Sequence, residues 1–297
     1  METMCYYIHA LTALHAGTGQ GVGVVDLPIA REKSTGLPIV PGSGVKGVLR
    51  EELNPSDAGK DDLQPCKDAA GKEVDAKKCW TALFGPDAKA INEGAEGSGF
   101  AGALNIQDAQ LLCLPVRSVY GVFAWVTCPF ILQRYKRDLD DVCRQGQDTE
   151  SCIKLPDIPC LDEQPNAEGK TIALVTTESQ LCSSDGQSVF LEDLDFQTAE
   201  DKKSADLIAE YIAQAVFPHE NDFKTDWQQM FQKRFLIIPD NVFSFLAETA
   251  TEVRARIKME PNTRTVAKGA LWYEESLPAE TLLWGIIGCD RSRSEDH

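Results

Sequence analysis

Apolar residues in this chain come in short bursts, Val122–Val126 being among the longest. None approaches the roughly 20 residues that a membrane-spanning helix needs. Bursts rich in β-branched and aromatic residues read as strands, and apolar spacing of three and four reads as amphipathic helix. Strands are therefore expected at Cys5–Leu14, Val22–Val25, Leu37–Val40, Gly102–Ala109, Thr171–Leu181, Ser188–Leu194, Phe235–Ile238, Arg254–Met259 and Leu282–Cys289. Ser118–Val126 reads as a strand or a helix start, and Gly269–Glu275 stands on or beside a further strand. Helices are expected from Gly42 to about Leu53 with Ser43 as N-cap, and at Trp80–Phe84, Pro129–Arg137 and Asp201–Val216. Asp185-Gly186 between two strand-like runs predicts a hairpin over 171–194. Strands and helices alternate with no repeat at solenoid spacing, so the fold class is α+β rather than a bundle or a sandwich.

A length of 297 residues, with 43% hydrophobic and 25% charged side chains, suits one large globular domain with insertions or two ordinary domains. The polar stretch 54–79 reads as a surface-loop insertion. Residues 138–226 hold 21 acidic against 6 basic side chains and account for most of the formal net charge of −17. Such a charge argues against indiscriminate nucleic-acid binding, so the placement of the cations decides more than the total. Residues 115–137 carry Arg117, Arg134, Lys136 and Arg137 with no acid, and 253–272 carry Arg254, Arg256, Lys258, Arg264 and Lys268 against Glu260. Residues 1–50 add Arg31, Lys33, Lys46 and Arg50. If these stretches meet, one basic face lies on an acidic body; ordinary solvated charge is the plain alternative.

The 10 cysteines include no C-x-x-C pair and the 4 histidines show no zinc spacing, so the cysteines read as small buried hydrophobes, as at Cys113 and Cys128. Met-Glu-Thr-Met-Cys at the start lacks the basic and apolar parts of a signal peptide, and an intracellular, cytoplasmic chain with no membrane contact is expected.

Three stretches can carry chemistry. Gly42-Ser-Gly44-Val-Lys-Gly47 fits the dinucleotide fingerprint only formally, because Pro41 and a short preceding run break the strand-to-glycine junction. Glycines at a helix start still expose N–H groups toward a phosphate, and Lys46 and Arg50 share a helix face. Asp26 closes a strand-like run just before Leu27-Pro28, beside the glycine loop that follows His15. An acid so placed can bind a metal ion or take a proton from a ribose hydroxyl, although turn hydrogen bonding is the commoner role. Trp272, Tyr273, Glu274 and Glu275 could offer base stacking and carboxylates, or simply core packing and a solvated edge.

A wider series of segments runs through the chain. It comprises Leu14-His-Ala-Gly17, Val25-Asp-Leu-Pro-Ile29, Arg31-Glu-Lys33, Thr35-Gly36, Pro38-Ile-Val-Pro-Gly-Ser-Gly44, Lys46-Gly47 and Leu49-Arg50. Leu83-Phe-Gly85, Pro115-Val-Arg-Ser118, Gly121–Val126, and Gly269–Glu275 before Leu277-Pro278 complete it. In this order the segments resemble the RAMP superfamily of CRISPR proteins, and within it the repeated backbone subunit of the type III-B (Cmr) complex. The resemblance covers most of residues 1–297 as one RAMP domain and leaves the acidic stretch 138–226 as a divergent insertion.

It implies a ferredoxin-like (RRM-like) palm with finger and thumb insertions, the thumb falling either at 171–194 or at 86–99. It implies guide RNA, target RNA, further copies of the chain and other Cmr subunits as partners, with target RNA cut at positions the thumb displaces. By likeness Asp26 matches the acid on which cutting depends, and His15 and Glu274 match positions near the scissile phosphate. Gly42, Ser43, Gly44, Lys46, Arg50, Arg31 and Arg264 make up the RNA-binding set. A loosely held divalent metal ion, magnesium first, is the expected cofactor. The aromatic signature of true RRMs is missing, so contacts are expected mainly to phosphate and 2′-OH. A non-cutting structural subunit and a guide-processing endoribonuclease of the same superfamily are the rival readings; an oxidoreductase rests on Gly42–Gly47 alone.

Overall fold

An unbroken run of six buried residues, 111–116, builds the middle of a sheet, and the rest of the fold is arranged to cover it. The computed structural model describes residues 2–19, 21, 25–55, 66–67, 73–86, 99–145, 155–166, 169–217, 223–260 and 264–291. In chain order the elements are β1 (Glu2–His9), β2 (Ile39–Val40), α1 (Gly42–Glu52), β3 (Cys66–Lys67), β4 (Glu73–Val74), α2 (Ala76–Phe84) and β5 (Leu104–Ile106). There follow β6 (Ala109–Arg117), β7 (Phe123–Thr127), α3 (Pro129–Gln145), β8 (Thr171–Val175), β9 (Ser188–Leu191) and β10 (Leu194–Thr198). The last are α4 (Lys203–Val216), α5 (Phe223–Arg234), β11 (Phe235–Ile237), α6 (Asp240–Thr249), β12 (Glu252–Met259), β13 (Val266–Ser276) and β14 (Leu282–Cys289).

The sheet runs β1-β14-β6-β7-β11-β8-β10-β9. Its first four strands are mutually antiparallel. Two split crossovers interlock there: β1–α1–β6 straddles β14, and the return from β7 through α3 to β14 straddles β6. That is the α+β, ferredoxin-like arrangement the sequence suggested. Strand β6 loses its polar alternation because both faces of the sheet are covered. Helix α3 covers one face with Ile131, Leu132 and Tyr135, all inaccessible to solvent; Pro129 opens it, and the Asp240 carboxylate accepts the Phe130 N–H at 2.8 Å.

Several expectations meet corrections. Strand β8 pairs with β11 and, in parallel, with β10, so 171–194 is no hairpin. Asp185-Gly186 turns only Cys182 back onto Val189, with Gly186 at φ 74. Strands β8, β9 and β10 therefore extend the main sheet. Ser43 does not cap α1: Pro41 is the N-cap residue, and the Asp108 side chain accepts the Gly42 N–H at 2.8 Å. Cys113 and Cys128 are buried as expected, but Cys79 and Cys143 are each disulfide-bonded, since the fold brings thiols together that sequence spacing does not reveal. Most of the strand expected at Val22–Val25, most of the 54–79 loop and nearly all of the 86–99 thumb candidate lie outside the described residues.

Strands β12 and β13 form a two-stranded antiparallel ribbon apart from the main sheet. Its strict alternation gives it two unlike faces. Val253, Ile257, Leu271 and Tyr273, each between 44% and 55% exposed, lie on one face, while Arg254, Arg256, Trp272 and Glu274 lie on the other. No helix among the described residues is long and apolar enough to cross a membrane.

Candidate nucleic-acid interface

The root of β13 acts as a spine on which the segment from Leu14 to Ile29 is hung. The Leu27 N–H donates to the Tyr273 carbonyl at 3.0 Å and the Glu275 N–H to the Leu27 carbonyl at 3.0 Å. Leu14 and Leu277 exchange both backbone bonds, at 2.9 and 2.8 Å. Asp26, at the bend before this pairing, is exposed, and its Oδ2 accepts the Tyr273 N–H at 2.8 Å. One carboxylate oxygen thus orients the group toward solvent chemistry while its backbone is held by the strand.

His15 is tied to the same spine. Its Nδ1 lies 2.6 Å from the Glu275 carbonyl oxygen; a carbonyl only accepts, so Nδ1 carries the proton and Nε2 is left for proton transfer. The ring lies over Gly17, where a Cβ would fall 2.4 Å from Nε2. Glycine is required there for the imidazole to take that position.

Strand alternation separates the two glutamates that look equivalent in sequence. Glu275 points inward, 7% exposed, and accepts from the Ile29 N–H at 3.1 Å, Arg31 at 2.7 Å and Thr251 at 2.9 Å. Burial raises its pKa, but these hydrogen bonds outweigh burial and hold it below the ordinary glutamate range. Glu274 points outward and accepts from Arg256 at 2.8 Å. That bond is the chief cause of its lowered pKa, with His15 and Arg254 adding smaller charge effects. Asp26, His15 and Glu274 are therefore brought together along residues 273–275.

The RNA-binding set divides. His15, Gly17, Ser43, Gly44 and Val48 line one groove of ≈ 530 Å³ between the glycine loop and the first turns of α1. A Cβ on Gly44 or Gly47 would meet nothing within 4 Å, so that helix face is open to close approach. Gly42 is different: its Cβ would lie 2.2 Å from the Ile106 carbonyl, and its role is helix-to-strand packing. Lys46 donates to the Leu104 carbonyl at 2.7 Å, and burial, then the charge of Arg50, lower its pKa. Arg50 donates to the Phe84 and Pro86 carbonyls at 3.1 and 3.0 Å and lies 4.7 Å over the Trp80 ring. Arg31 is committed to Glu275 and to the Gly36 and Ala247 carbonyls at 3.0 Å. Arg264, at φ 54, sits at the far end of the ribbon from Glu274. Sequence reading passed over Arg256, which period-two alternation places on the same ribbon face as Glu274.

An acid, an imidazole and an open helix start thus lie together on a ferredoxin-like palm. A family model of the RAMP superfamily matches residues 7–296, and the chain belongs to that superfamily. It is 34% identical over 287 residues to the CRISPR system Cmr endoribonuclease Cmr4 of Pyrococcus furiosus, covering 97% of this chain and 81% of the relative. The crystal structure of oligomeric Cmr4 from the same organism superposes with a TM-score of 0.64 at 26% identity, over 100% of this chain and 85% of that one. A cryo-EM structure of type III-B Cmr-beta bound to cognate target RNA contains a chain that matches in fold, with a TM-score of 0.64 at 19% identity over 100% and 87%.

Proposed function

We propose that this chain is the guide-RNA-binding backbone subunit of a type III-B CRISPR effector, stacking in several copies along the guide and cutting the paired target RNA. A Cmr endoribonuclease as a relative over 97% of the chain supports the activity class. The observation that carries the site is the convergence of Asp26 and His15 on residues 273–275 beside the groove at the start of α1.

In this reading base pairing selects the target and the protein holds backbone and shape. The α1 face bearing Ser43, Gly44 and Gly47 admits a phosphate backbone closely. The β12–β13 ribbon serves as the thumb, its exposed apolar face wedging into the guide–target duplex to displace a base. The resulting kink aligns a 2′-OH with the adjacent phosphorus. Asp26 takes the 2′-OH proton, and His15 in its imidazolium form, Nδ1–H held on the Glu275 carbonyl, gives its Nε2 proton to the leaving 5′-oxygen. Among the described residues no group of three or more His, Cys, Asp or Glu side chains forms a metal cage. The donors fit an ion held by Asp26 and by RNA phosphate oxygens, the manner usual for magnesium; bound there, it would neutralise phosphate charge. Other Cmr subunits as partners and a cytoplasmic location belong to the same proposal.

The complex reconstituted with guide RNA tests it on paired target RNA, paired DNA and guide precursor. Cutting of the paired RNA alone, at regular intervals, is expected, because DNA lacks the attacking hydroxyl. Binding without cutting, or cutting of the precursor alone, would refute the proposal.

A further inference from the structure

Resting on the reading above, we infer that Arg256 is a further catalytic residue, the guanidinium that neutralises the scissile phosphate, held on Glu274 until RNA arrives. The reaction sets the requirement. A 2′-oxygen bonds to phosphorus as the bond to the 5′-oxygen breaks; the 2′-OH proton passes to a base and the departing 5′-oxygen gains one, leaving a 2′,3′-cyclic phosphate and a 5′-hydroxyl. Negative charge builds on the non-bridging oxygens in between, and a fixed cation aimed at them is the largest single aid such a step receives. Asp26 and Glu274 are anions, so they cannot supply it.

The cations first suggested by the sequence are directed elsewhere. Lys46 and Arg50 reach carbonyls of the body, and Arg31 is locked on buried Glu275. Arg256 meets the need on three counts. Ribbon alternation sets it on the face of Glu274, two register positions along from the Arg254–Glu274 pairing. Its guanidinium bonds Glu274 at 2.8 Å, while Leu27, next to Asp26, bridges the Glu274 backbone. The side chain remains 49% exposed, so a phosphate can take hold of the planar fork. Exchange of Glu274 for phosphate releases the glutamate as the cation engages, and RNA itself completes the site.

The test is single-turnover cutting by the reconstituted complex at saturating target RNA, with target affinity measured in parallel. Arg256→Ala is expected to slow cutting by about 100-fold or more, with affinity within threefold of wild type. Arg256→Lys should recover part of the rate, because it keeps the charge and loses the fork. Cutting within threefold of wild type by Arg256→Ala, or a rate loss matched by an equal loss of affinity, overturns the assignment. A wild-type complex that binds paired RNA and does not cut it overturns the proposed function, and this inference with it.

Discussion

Two regions offer the same ingredients, charge beside glycine, and use them in opposite ways. Along β13, Asp26 is left exposed and Glu274 faces outward, half-buried against Arg256, while the backbone beneath them is pinned by strand pairing. On α1, Lys46 and Arg50 turn back onto carbonyls near the Gly85 corner and onto Trp80, so their charges fasten the helix to the body. Reactive groups need a rigid support and an open tip, whereas structural cations need their donors satisfied. The two regions differ in which of these the fold provides.

The comparison breaks most visibly at Asp26. Asp26→Asn keeps an oxygen for the Tyr273 N–H and removes the charge; target cutting in the assembled complex is expected to fall by about 100-fold to 10,000-fold, with guide and target affinity unchanged. Equal cutting by the variant would end the catalytic assignment and leave β13 as scaffold.

Glu275 sharpens the contrast between neighbouring carboxylates. Glu275→Ala leaves the half-buried Arg31 without its carboxylate and the buried Ile29 N–H without its acceptor, and denaturant unfolding should show a loss of about 3 kcal/mol. The folded pKa of Glu275 is depressed below the ordinary 4.5. Its contribution is thus fully present above that value and is lost as pH falls through the depressed one. Glu275→Gln should flatten the acid side of the stability profile. An unchanged acid slope would place the linkage elsewhere.

The smallest effect belongs to Arg50. Arg50→Ala removes the ring contact and two carbonyl bonds, for an expected loss of about 2 kcal/mol in thermal or denaturant melts. The salt dependence of guide binding should change by less than one phosphate's worth of slope. A full unit of change with no loss of stability would return Arg50 to the RNA track and remove the distinction between the two regions.

Much of the fold was legible from local pattern. Helices α1, α2 and α4, strands β11, β12 and β14, and the buried thiols of Cys113 and Cys128 follow from spacing and composition. The failures share a cause. Asp185-Gly186 correctly marks a turn, yet which strand lies beside β8 is set by β10 and β11, which are remote in the chain. Ser43 has the chemistry of a cap, but Asp108 reaches the same N–H from another element.

By itself the sequence determined an α+β chain with an anionic body, and named Asp26, His15 and a glutamate pair as candidates, because residue type and period are local properties. Tertiary structure alone decided that Glu274 and not Glu275 faces outward with Arg256, that Lys46, Arg50 and Arg31 are tied back onto the body, and that Asp26 and His15 are held by one strand. Those outcomes depend on which distant donors and acceptors come within about 3 Å of one another, and no count along the chain contains that distance.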